Sequence, residues 1–204
     1  MNDGTRTRLA LLGTMSDLHG EPVAYDLARL SAIIAGVATD LLCAEITLEQ
    51  WEGDDLSSAA FEVREALAPV VSATGVVPIP VAPSPLRFDD FGPARGRRAA
   101  LVRSFDRLLR WGQRRANTPE AVNGPFFGGF CHTVCYVSER ARTAAERAAW
   151  REQNVAIATN IIETVRRDPC RRVLVAVQCQ RRHRLLPLLR RYDELLEIVG
   201  FDRL

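Results

Sequence analysis

Apolar and polar positions alternate along this chain in two distinct patterns. Short runs of unbroken apolar character are separated by longer stretches in which apolar residues recur every three or four positions. The short runs are Arg8–Leu12, Leu41–Ile46, "VVPIPV" and "RRVLVAVQC". Continuous apolarity over so few residues predicts strands buried on both faces. Proline has no N–H to donate, so the two prolines of "VVPIPV" assign that strand to an edge or a strand end.

The longer stretches predict helices. One runs over Val23–Gly36, with Leu27, Leu30, Ile33 and Ile34 on one face and Pro22 at its entry. "LSSAAFEVREALAPVVSATG" reads as a second, ending near Gly75, and Leu101, Val102, Phe105, Leu108 and Leu109 mark a third. Residues 139–167 read as one long helix, and a final helix carries Leu185, Leu188, Leu189, Tyr192, Leu195 and Leu196. "APSPLRFDDFGPARG" and "NTPEAVNGPFFGGF" read as loops, the second flexible and aromatic, with "GPFFGG" either a plain loop or a mobile lid or hinge over a site. Strands alternating with helices predict an α/β fold, a mostly parallel sheet flanked by helices. With no repeat or linker to divide it, the chain is expected to be a single domain over 1–204, in which 83–139 is a loop-rich helical insertion.

Composition narrows the chemistry. A chain of 204 residues, 47% hydrophobic and 25% charged, is long enough to bury a substantial core. All 27 basic residues are Arg, which excludes Schiff-base and P-loop lysine mechanisms. The five cysteines are odd in number, and Cys43 and Cys179 lie in apolar runs, which reads as reduced thiols in a cytoplasmic protein. No signal peptide is expected, and "LARLSAIIAGVA" contains Arg29 and is too short to span a bilayer, so no membrane partner is expected. Formal charge is −9 over residues 1–90, +5 over 91–139, +9 over 140–191 and −3 over the last 13. Such asymmetry implies an internally complementary fold or a basic face for an anionic partner.

"SDLHG" after the first strand invites a two-metal phosphoesterase reading. That chemistry needs roughly seven or eight ligands, many of them His, and the chain has only His19, His132 and His183. Although "EGDD" at Glu52–Asp55 imitates a second motif, no Asn-His or His-x-His exists, and the reading fails on ligand count. In open α/β sheets the working residues gather past the carboxyl ends of the strands. Those ends offer Ser16 and His19, then Glu45, then the stretch from Gln178 to His183. His19, Glu45 and His183 would make a site for one divalent metal (Mn, Co or Zn), or a metal-free acid/base site. Arg151 and Asn154 would orient the carboxylate or hold a substrate oxyanion.

Each of these residues also has a plain structural role open to it. Glu45 would cap a turn or pair with an arginine, His19 would mark a helix entry, and His183 and Arg151 would be surface residues. "CHTVC" offers Cys131, His132 and Cys135 as soft ligands, but structural zinc wants a fourth from a second cluster, so buried thiols are the reading. "GPFFGG" has neither Walker nor dinucleotide spacing. "CRRVLVAVQCQRRHR" lacks interleaved aromatics, so nucleic acid is not an expected partner; capture of a phosphate or carboxylate by one or two arginines, Arg181 and Arg182 among them, is.

Four stretches in order resemble the TraB/PrgY–Tiki proteins of the ChaN-like and erythromycin-esterase-like superfamily: "LLGTMS", "TDLLCAE", "WREQNVAIATNI" and "RRVLVAVQCQRRH". Gly13 and Thr14 match the family's first motif, with Ser16 at its histidine position. Glu45 matches the acidic residue, and Arg151 and Asn154 match the helix motif. In an ungapped reading the last motif places its glycine on Gln178 and its histidine on Arg181. His19 and His183, three and two residues further on, would substitute if the loops were longer.

The resemblance covers the first 80 and last 60 residues and implies a Tiki/TraB-type α/β fold. It also implies a hydrolase-like activity on a peptide or ester at the carboxyl edge of the sheet. Catalysis would fall to Glu45, His19, His183 and Arg151, and substrate contacts to Ser16, Asn154, Arg181 and Arg182. The alternative is a catalytically degenerate peptide- or anion-binding protein. The oligomeric state is left open, a homodimer included.

Overall fold

The unbroken apolar runs become strands because helices cover both faces of the sheet they build. In the computed structural model, which describes residues 6–53, 56–85 and 96–204, the strands are β1 (Thr7–Thr14), β2 (Leu41–Ala44), β3 (Val77–Pro80), β4 (Arg172–Gln178) and β5 (Leu196–Val199). They form one parallel sheet in the order β3-β2-β4-β1-β5. The helices are α1 (Leu27–Gly36), α2 (Leu48–Glu52), α3 (Ala68–Thr74), α4 (Arg97–Arg115), α5 (Pro119–Asn123), α6 (Pro125–Ala141), α7 (Ala144–Arg167) and α8 (Cys179–Leu189). Side chains alternate across the sheet with a period of two. Leu9, Leu11, Cys43, Val173 and Val175 enter one core, closed by Ile157, Ile161 and Val165 of α7 and Leu185 and Leu189 of α8. Ala10, Leu12, Leu42, Leu174 and Ala176 enter the other, closed by Leu30 and Ile34 of α1, Val70 of α3 and Phe127 and Cys131 of α6. The proline-bearing strand is at an edge, as expected, and β1 and β4 are central.

Several boundaries differ from the sequence reading. The first helix begins at Leu27, because the Asp26 side chain accepts the Arg29 N–H at 2.8 Å and caps it there. The helix before Gly75 is widened to a π-type turn over Val63–Leu67. Pro69 lacks an N–H and crowds the carbonyl one turn back, and the wider turn makes room for it. The long helix divides at Arg142, and Thr143 opens α7 with a reciprocal capping box to Glu146.

The expected aromatic loop is helical. Thr118 caps α5, and Pro125 opens α6, whose Phe127, Cys131, Val134 and Cys135 form a buried stripe. The last helix stops at Leu189, and residues 196–199 add the fifth strand beside β1. Residues 97–139 are therefore mainly helical and pack on the sheet as part of its cover. The expected loop over 82–96 and the Asp54–Asp55 portion of "EGDD" lie largely outside the described residues. At the contact of α4 with α6, a Cβ on Gly112 would strike the ring of Phe130, so the absence of a side chain lets these helices approach.

Candidate functional site

Parallel register brings Thr14 of β1 opposite Gln178 of β4, with Ala44 of β2 opposite Ala176, so three strand ends meet at one carboxyl edge. Glu45 follows β2 directly. Its carboxylate accepts from the Gln178 backbone N–H at 2.8 Å and from Arg181 Nε at 2.6 Å. Gln178 is the residue before α8, so the carboxylate lies at that helix's N-terminus, where negative charge is stabilised. The Arg181 side chain is 1% exposed. Its guanidinium lies 4.2 Å from the centre of the Trp150 ring and donates through Nη2 to Gln153 Oε1 at 2.9 Å. Ser16 sits beside this edge with a left-handed φ of 56° and accepts from Gln178 Nε2 at 3.3 Å.

The expected trio of His19, Glu45 and His183 is not assembled. His19 is 1% exposed and bridges two backbone groups: Nε2 accepts the Met15 N–H at 2.8 Å, and Nδ1 donates to the Tyr25 carbonyl at 2.7 Å. Burial lowers its pKa, in keeping with the neutral tautomer this bridge requires. The loop containing "SDLHG" is thus held shut by its own histidine. His183 lies on α8 beside Cys131 and His132, two residues past the arginine that meets Glu45. With α8 starting at Cys179, the position facing β2 falls on Arg181. Arg182 turns under β1 instead, donating from Nε to the Leu11 carbonyl at 3.2 Å, and desolvation lowers its pKa.

Three expected site residues do meet, in a groove between α6, α7 and α8. Arg151, Asn154 and His183 line a cleft of about 380 Å³ together with Trp150, Arg184 and Arg191. Trp150 also carries Arg181, so the groove adjoins the carboxyl edge. Arg184 is committed to Glu139 at 2.6 Å. Arg151 and Arg191 are exposed and have no ion-pair partner among the described residues. Asn154 is 3% exposed; Nδ2 donates to the Trp150 carbonyl at 2.6 Å, while Oδ1 is buried with no hydrogen-bond partner among the described residues. His183 Nε2 is likewise buried and without such a partner. Burial, then the charge of Arg184, holds the His183 pKa at about 3, so its ring is neutral at physiological pH.

None of the five cysteines is in a disulfide. Burial raises the Cys43 thiol to about 12, which makes it an inert core residue. Cys131 and Cys135, one turn apart on α6, come together with His183, and this group has the composition to hold a metal ion. His132 is the neighbour of Cys131, its ring 5.2 Å from that of His183 in an edge-on arrangement. The contributions of Trp150, Arg191 and His183 to one groove were not evident from the sequence. The "WRxxN" spacing of Trp150, Arg151 and Asn154 carried part of the signal, since it places all three on one face of α7. Compared with family models, curated proteins and solved structures, the chain has no significant match in any of the three.

Proposed function

We propose that this chain is a binding protein that captures a carboxylate-bearing peptide, or a small molecule of the same chemistry, in the α6–α7–α8 groove and does not hydrolyse it. The observation that carries the reading is that the exposed Arg151 and Arg191 line one groove with Asn154, whose Oδ1 is buried and has no hydrogen-bond partner among the described residues. A guanidinium grips a carboxylate through charge-assisted, two-pronged hydrogen bonds. A buried amide oxygen with no partner seeks an N–H, since leaving it unmade costs about 1–3 kcal/mol. A carboxylate close to an N–H is what a peptide with acidic side chains offers.

The carboxyl edge supports binding over turnover. A general base at Glu45 would have to face an acid/base partner. Its carboxylate instead accepts from Arg181 and Gln178, while His19 is committed to backbone groups. The resemblance to TraB/PrgY–Tiki proteins supports the same reading, because the histidine position of the family's last motif falls on Arg181.

The reading is tested by fluorescence anisotropy with a labelled, capped peptide of Asp and Glu against its Asn/Gln isostere. The acidic peptide should bind and weaken as salt rises. Replacing Arg151 or Arg191 by Gln should each weaken binding by about tenfold, at the low end for a hydrogen bond to a charged group. Equal binding of the neutral peptide, or indifference to both substitutions, contradicts the proposal. Mass spectrometry of the recovered peptide should show it intact; fragments that disappear in Glu45→Gln would restore the hydrolase reading.

A further inference from the structure

We propose that Cys131, Cys135 and His183 form a site for one thiophilic divalent cation, zinc first among them, that ties α6 to α8. The inference is independent of the groove's ligand. Cysteines four apart on a helix share a face, and the third ligand arrives from α8, 48 residues further along the chain. This supplies part of what the isolated "CHTVC" motif lacked.

The spacing fits a tetrahedral ion. Two thiolates bound at about 2.3 Å to one zinc stand about 3.8 Å apart, and a thiolate and an imidazole nitrogen about 3.6 Å apart. The Cys131 and Cys135 sulfurs are 3.9 Å apart, and Cys131 Sγ is 3.9 Å from His183 Nδ1. All three ligand atoms lie within 4.8 Å of one another, so they have only to draw together to close on an ion. The sulfurs are well beyond the roughly 2.05 Å of a disulfide.

Binding displaces two thiol protons to solvent and leaves two thiolates, one imidazole and a dication, a site with no net charge. The Cys131 thiol is held well above its ordinary pKa, first by its contact with the Cys135 sulfur, so the cation has to displace the proton it holds. Three protein ligands leave the fourth position to water. His183 also lines the groove, so the site lies beside it. Ligation through Nδ1 fixes the remaining proton on Nε2, turning that buried atom into a donor.

The experiment is a cobalt(II) titration of the metal-stripped full chain in a non-thiol reductant. One equivalent should produce thiolate-to-cobalt charge-transfer absorption and the intense visible bands of tetrahedral cobalt, both abolished by zinc. Cys131→Ser, Cys135→Ser and His183→Ala should each weaken binding at least about 100-fold, more than the loss of an outer-shell partner. Cys170→Ser, which alters an exposed thiol, should leave the spectrum unchanged. Absence of the charge-transfer band in the wild type, or its persistence in Cys135→Ser, overturns the proposal. Should the variants fail to fold, X-ray absorption of the zinc-loaded wild type decides: two sulfur neighbours support the site, and none overturns it.

Discussion

Removing the Arg181 guanidinium should be among the most destabilising single changes at the carboxyl edge. Its side chain is 1% exposed and that of its partner Glu45 is 11% exposed. Arg181→Met would leave the largely buried Glu45 carboxylate with only the Gln178 N–H among its described hydrogen-bond partners. Gln153 Oε1 would lose a donor, and the face of Trp150 would lose its cation. Breaking a buried pair from one side costs about 3–5 kcal/mol, and for a chain of this size that corresponds to a fall in melting temperature of about 10 °C.

The pair as a whole contributes far less than its rupture costs, because both charges were desolvated to make it. Glu45→Gln combined with Arg181→Met should therefore be milder than Arg181→Met alone, with a coupling of about 2 kcal/mol in a double-mutant cycle. Urea unfolding of the four proteins measures it. The exposed Arg114–Glu21 pair, at 48% and 36% exposure, is the control, and Glu21→Gln should leave the midpoint unchanged. A cost below about 1 kcal/mol for Arg181→Met, or strict additivity in the cycle, would refute the account of this edge.

Two further outcomes follow from the packing. Above pH 6.5 His19 is neutral in both folded and unfolded chains; below it the unfolded chain takes up a proton that the buried ring refuses, because its folded pKa is lowered. Stability should fall by up to about 1.4 kcal/mol per pH unit as pH drops from there toward the folded pKa. His19→Asn should lower stability at pH 7.5 yet reduce the pH slope, and equal slopes for the two proteins in urea titrations would count against the bridge. Gly112→Ala should destabilise by about 1–3 kcal/mol despite alanine's better helix propensity, because the added carbon meets Phe130; a stabilised variant would mean that the ring moves aside without cost.

The strands were legible because a sheet covered on both faces demands unbroken apolar runs, and four of the five show one. Residues 196–199 escaped notice: on a half-buried edge, Leu195 and Leu196 continue the spacing of the preceding helix, and nothing local announces the turn between them. "NTPEAVNGPFFGGF" read as a loop because its glycines weaken helix propensity. Burial of Phe127, Cys131, Val134 and Cys135 on one stripe outweighs that cost. Glu45, Arg151 and Asn154 stood out from their positions at a strand end and on a helix face, but the groups each one meets did not. Which arginine would meet Glu45 was not, since it depends on the residue at which α8 begins. The third ligand of the thiol cluster depends on how α6 packs against α8, a tertiary relation that spacing within "CHTVC" cannot encode.

The most direct test of the central claim is a titration of the isotopically labelled protein with the acidic peptide, followed by NMR at the Asn154 side-chain amide and the Arg151 Nε–H. The account predicts saturable shifts at both, absent with the Asn/Gln isostere, while the resonances of Ser16 and the Gln178 side chain stay in place. Shifts confined to Ser16 and Gln178, with Asn154 and Arg151 unmoved, would contradict it and place the ligand on the carboxyl edge.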